Sequence, residues 1–169
     1  MSFTRRQLLA AVGAFAAASA VGLTSLGLRW YDQPAQAGYT RLSEDEAAFL
    51  RAFAEGLFPA GGEPSLGGGE AQLDHFVDGV LEHMPAFQQQ GLKLLFHAID
   101  ALALTTEART FVALTPQRRS AIVLEWLQHP IAEVRGGVQS IALLLGMGYT
   151  THPEAVQTFS SLTRCGIYA

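Results

Sequence analysis

Cysteine is almost missing from this chain of 169 residues, with Cys165 its only example. A single thiol excludes an internal disulfide framework and a cysteine-rich zinc or iron–sulfur site. Charge is scarce too, at 15% of residues, and the formal net charge is -4. Residues 1–37 contain Arg5, Arg6, Arg29 and Asp32, a net +2, so the remainder stands at -6. Phosphate binding needs clustered Lys and Arg, so nucleic acid is not an expected partner.

Several catalytic patterns are missing as well. His75, His83, His97, His129 and His152 never stand four residues apart, and there is no HExxH. No G-x-S-x-G turn singles out a serine. Gly67-Gly68-Gly69 precedes a helical stretch but follows no strand, shows no GxGxxG spacing and has no Lys-Ser or Lys-Thr after it. It reads as part of a flexible loop with Gly61, Gly62 and Pro64 rather than as a phosphate cradle. No run alternates with period two for long enough to make a sheet.

What the N-terminus does contain is an address. Thr4-Arg5-Arg6-Gln7-Leu8-Leu9 resembles a twin-arginine export motif, with Arg5 and Arg6 ahead of the hydrophobic pair Leu8 and Leu9. Leu8 to Leu28 is uncharged yet diluted by Gly13, Ser19, Gly22, Thr24, Ser25 and Gly27, the weak hydrophobicity that suits this route. Ala35-Gln36-Ala37 supplies the small-x-small pattern a signal peptidase needs. The expected organisation is a signal peptide over 1–37, cleaved after Ala37, and one domain over 38–169. The alternative is retention as a membrane anchor, since about twenty uncharged residues can span the hydrocarbon layer.

Residues 38–169 read as all-α, a compact bundle of about five or six helices. Ser43-Glu44-Asp45-Glu46 fits a capping box opening a helix that Pro59 stops. A second helix is expected from about Glu70 to Met84, its stripe formed by Leu73, Phe76, Val77, Val80, Leu81 and Met84. Its opposite face, Asp74, His75, Asp78 and Glu82, reads as turned to solvent or to a polar partner, with a solvated face the simpler reading. A third carries Leu92, Leu95, Phe96, Ile99 and Leu102, with His97 beside the stripe as a partly buried, hydrogen-bonded side chain. Thr115-Pro116 starts a fourth that buries Ile122, Val123, Trp126 and Leu127. A fifth, from about Ile131 to Met147, is apolar nearly all round after Gly137, so it is expected to be central or covered by another protein. Gly136 and Gly137 inside it each cost about 1 kcal/mol relative to Ala, which close helix approach would offset.

A domain of about 130 residues covers only part of its own apolar surface. Phe49, Phe53, Phe58, Trp126, Leu144 and Tyr149 are therefore the candidate partner contacts, in an obligate interface above about 2,000 Å². Cys165 is a candidate for an intersubunit disulfide in an oxidising compartment, with an unpaired thiol the simpler reading.

Leu42-Ser43-x-x-Glu46, Leu57-Phe58-Pro59, Phe111-x-x-Leu114-Thr115-x-x-x-Arg118 and Gly148-Tyr149-x-x-His152-Pro153, together with the twin-arginine motif, carry a family likeness. Over most of residues 40–155 the chain resembles the small subunit of gluconate 2-dehydrogenase-type complexes, a family that includes the small subunits of bacterial FAD-dependent glucose, fructose and sorbitol dehydrogenases. The resemblance implies a non-catalytic subunit that holds no cofactor. It would bind a large flavoprotein subunit carrying the FAD, assist its maturation and take it through the twin-arginine translocon to the periplasm. There the complex would associate with the inner membrane and pass electrons to a cytochrome c subunit or another acceptor. Two other readings stay open: a periplasmic enzyme or metal-binding protein built from scattered His and carboxylates, and a membrane-anchored structural subunit.

Overall fold

The computed structural model describes residues 33–163, with side chains from 33 to 160. Arg5, Arg6, Leu8, Leu9 and Cys165 lie outside the described residues. From Pro34 on the chain is one unit. Its six helices of ten or more residues are α1 (Glu44–Leu57), α2 (Leu73–Glu82), α3 (Ala86–Leu102), α5 (Pro116–Leu127), α6 (Ala132–Thr151) and α7 (Pro153–Thr163). A four-residue helix, α4 (Leu104–Glu107), and a 3-10 turn at Phe111–Ala113 connect α3 to α5. Among the described residues there is no strand, and no helix is long and apolar enough to cross a membrane.

The capping box forms as its spacing demands. Ser43 Oγ accepts the Glu46 N–H at 3.4 Å, and Glu46 Oε2 accepts the Ser43 N–H at 2.8 Å. Because α1 presents Phe49, Leu50 and Phe53 to neighbours on several sides, it is the central helix, touching α2, α3, α5, α6 and the 3-10 turn. Phe49, Phe53, Phe96, Phe111 and Trp126 form one ring cluster, with centroids 5.6–5.9 Å apart. Of the two alternatives expected for the 131–147 helix, the central position belongs to α1 instead: α6 buries one face only, through Val138, Ile141, Leu145 and Tyr149. Close approach holds at Gly137, where a Cβ would come within 2.9 Å of Leu95 Cδ1, but Gly136 faces open space. The sequence also gave no sign of α7, whose first residue, Pro153, follows the C-cap of α6 directly.

The glycine-rich segment is not a loose loop. Gly67 and Gly68 are buried, the Gly68 N–H donates to the Phe58 carbonyl at 2.8 Å, and a Cβ on Gly68 would fall on the Ala54 carbonyl. Glu70 and Ala71 donate back to Gly67, and Gln72 sits at φ 49, so α2 begins at Leu73 rather than at Glu70. Since Gly68→Ala must displace main chain on both sides, it is expected to cost about 3 kcal/mol, near the upper end for overpacking. A urea midpoint within error of the parent would show that this approach is not tight.

On the acidic row of α2 the solvated reading is corrected, for Asp74 and Asp78 are buried against polar partners. Asp78 accepts the N–H groups of Thr40, Arg41 and Leu42 at 2.7, 2.8 and 2.9 Å. Burial alone would push its carboxyl up; these three donors outweigh that and hold it below the usual carboxylate range. Asp74 accepts the Tyr39 hydroxyl at 2.6 Å and Arg51 at 3.1 Å, while the Tyr39 ring stacks on His75 at 4.6 Å. Burial and the Asp74 hydrogen bond push the Tyr39 hydroxyl up to about 12.

Candidate partner-binding face

Several titratable side chains are engaged with one another. Glu46 is fully buried between α1 and α3, with Oε2 3.0 Å from Lys93 Nζ and Oε1 3.4 Å from His97 Nε2. Burial would push this carboxyl up, but His97, the Ser43 N–H and Lys93 together hold it below its ordinary value. Asp100, pushed up by burial, accepts the Val112 N–H at 2.9 Å. Arg118 bridges Glu107 at 2.6 Å and Glu125 at 3.0 Å, and Arg119 pairs with Glu55 at 2.6 Å. Among the described residues no three His, Cys, Asp or Glu side chains gather in a way that could hold a metal ion. His75 stacks on Tyr39, His83 hydrogen-bonds the Gly79 carbonyl of its own helix, and His129 accepts the Ile131 N–H. These contacts are local or structural.

The outer face of α6 is different. With 3.6 residues per turn, Gly136, Gln139, Ser140, Leu143, Gly146, Met147 and Thr150 fall on the side opposite the buried Val138, Ile141 and Leu145. The only charged residues of α6, Glu133 and Arg135, lie in its first turn, so the rest of this face is uncharged. Leu143 is 68% exposed and Met147 55%. Single exposed leucines are ordinary, whereas an uncharged row with two large apolar side chains at i and i+4 is not.

That row runs into a cleft. Gly146 and Thr150, with Tyr149 between them on the inner side, meet Leu57, Phe58, Pro59, Glu63, Pro64 and Phe159 around a hollow of about 320 Å³. Phe58 and Tyr149 stack at 4.1 Å to form a wall, and the Tyr149 hydroxyl donates to the Leu66 carbonyl at 2.7 Å. On α7, Val156 and Phe159 stay exposed. The α3 helix, which touches α6 at Gly137, also turns an uncharged outer row to solvent, with Phe87 86% exposed and Leu94 following seven residues later.

The sequence-predicted contacts therefore divide. Phe58 and Tyr149 border the cleft, and Leu144 is half-buried beside the exposed row. Phe49, Phe53 and Trp126 are core residues without the surface that a partner contact needs. Sequence reading takes Leu143 only as part of the apolar stretch after Gly137 and does not single out Met147, Phe87 or Phe159. The signal for the first two was present in the absence of charge after Arg135, but which side of an all-apolar helix faces out depends on its neighbours. Ala35 and Ala37 are exposed on either side of Gln36.

Among the described residues the domain is all-helical, several of its buried ionisable groups are tied into internal pairs, and its longest helix offers an uncharged face to solvent. Residues 44–162 match the family described as gluconate 2-dehydrogenase subunit 3, and the chain belongs to that family, a subunit of a dehydrogenase complex. No curated protein and no solved structure matches it.

Proposed function

We propose that this chain is the non-catalytic accessory subunit that binds a large FAD-dependent dehydrogenase subunit, aids its maturation and carries it through the twin-arginine translocon. The observation that carries the reading is the uncharged outer row of α6 with Leu143 and Met147, continuous with the cleft between Phe58 and Phe159, in a chain of a dehydrogenase-subunit family. An interface core depleted of charge and rich in Phe, Met and Tyr is what a stable heteromer presents. The flavin belongs to the partner, a cytochrome c subunit or another acceptor takes the electrons, and the complex works in the periplasm at the inner membrane.

Export is the part most directly tested. Because the arginine pair is read as an address, replacing Arg5 and Arg6 together by Lys is expected to leave both this chain and its flavoprotein partner in the cytoplasm. Cell fractionation with antibodies to both proteins makes the measurement. A partner exported normally in that strain would end the carrier role.

A further inference from the structure

We infer that the folded domain masks the Ala37–Gly38 bond, so that the leader is removed there only when the segment 36–43 lifts off α2. This rests on the export reading only in taking Ala35-Gln36-Ala37 as a processing site.

Proteases bind substrates extended, pairing the backbone groups on both sides of the scissile bond with their own strands. Here the backbone around the bond is folded into a turn, and the groups of Gln36 and of the residues from Tyr39 to Ser43 are already engaged. The Tyr39 N–H donates to the Gln36 carbonyl at 3.0 Å, closing a β-turn in which Ala37–Gly38 is the central peptide. Gly38 has φ +96, the sign that the third position of a type II turn requires. The Gln36 N–H donates to the Leu42 carbonyl at 2.8 Å, which ties the upstream side to a fully buried residue. Downstream, every backbone N–H from Tyr39 to Ser43 has an acceptor within the domain: Gln36 for Tyr39, the Asp78 carboxylate for Thr40, Arg41 and Leu42, and Glu46 for Ser43. The Tyr39 side chain adds a hydroxyl bond to Asp74 and the stack on His75. Ala35 and Ala37 are exposed, so the small side chains are visible while the backbone is not in a form a peptidase can hold.

Cleavage then follows the population of the open strap. Asp78 is its main fastening, and Gly38 fixes the turn itself. Removing the charge-assisted bonds with Asp78→Ala, or straining the turn with Gly38→Ala, is expected to raise the cleavage rate on the order of tenfold or more. The two variants act at different places, so a folding defect confined to one leaves the other informative.

The test is digestion of purified full-length chain in detergent by a bacterial leader peptidase, native and urea-denatured, read by intact mass. Expected are a resistant native parent, a denatured parent cut to a product starting at residue 38, and faster cutting of both native variants. Equal rates for native and denatured parent would overturn the masking. So would a denatured chain left uncut after Ala37, or two folded variants as resistant as the parent. None of these outcomes depends on the export route, which fractionation of the twin-arginine variant decides separately.

Discussion

Leu143→Asp combined with Met147→Asp is expected to abolish copurification of the flavoprotein subunit while leaving this chain folded. Both side chains are more than half exposed in the free domain, and surface changes of this kind usually alter stability by less than about 0.5 kcal/mol. In the complex each carboxylate would be desolvated against an apolar partner without a counter-charge. Central interface residues commonly contribute about 2 kcal/mol or more, so the pair is expected to weaken binding by roughly a thousandfold. Leu124→Asp is the control: Leu124 is 63% exposed but lies on α5 rather than on the α6 row. Pull-down of the partner, with circular dichroism of each variant, reads both effects. A complex that survives the double change but not Leu124→Asp would move the binding face to α5.

The largest effect on stability is expected from Glu46→Ala. That carboxylate, itself without solvent access, closes the α1 capping box, pairs with the partly exposed Lys93 and meets His97. Removing one partner of a buried ionic cluster leaves the others uncompensated, at a cost of about 3–5 kcal/mol. For a domain of about 130 residues that corresponds to roughly 10–20 °C in melting temperature. The pH dependence follows from the same group. Glu46 and Asp78 both titrate lower in the folded chain than their ordinary values of 4.5 and 3.8. Their contribution is therefore complete above those values and is lost as pH falls through the lower folded ones. Asp100 shifts the opposite way, so its protonation offsets part of the loss. Denaturation midpoints should fall steeply below about pH 4 in the parent and less steeply in Glu46→Gln, which retains the shape and loses the charge. Parallel pH profiles for the two proteins would remove Glu46 from the acid response.

The sequence by itself determined five of the six long helices and the family. Capping chemistry at Ser43 and Thr115, the proline stops and the 3.6-residue stripes act within one or two turns, so Ser43-x-x-Glu46 and Thr115-Pro116 produced the caps they implied. Local rules also located α2, α3 and α5 to within a few residues. Tertiary structure alone decided what each polar or aromatic side chain faces. Asp78 sits on the polar side of an amphipathic helix, yet the 40–42 backbone lies over it and makes it a buried anchor. Glu46 reads as a capping residue, and only the approach of α3 adds Lys93 and His97 to it. Phe49, Phe53 and Trp126 resemble docking anchors until α1 is surrounded on all sides, whereas Leu143 and Met147 become the open face because α1, α2 and α5 lie on the other side of α6. Helix formation depends on neighbours three and four residues away, and burial depends on residues thirty to ninety positions distant. Periodicity along the chain cannot encode which of two apolar faces the rest of the molecule will cover.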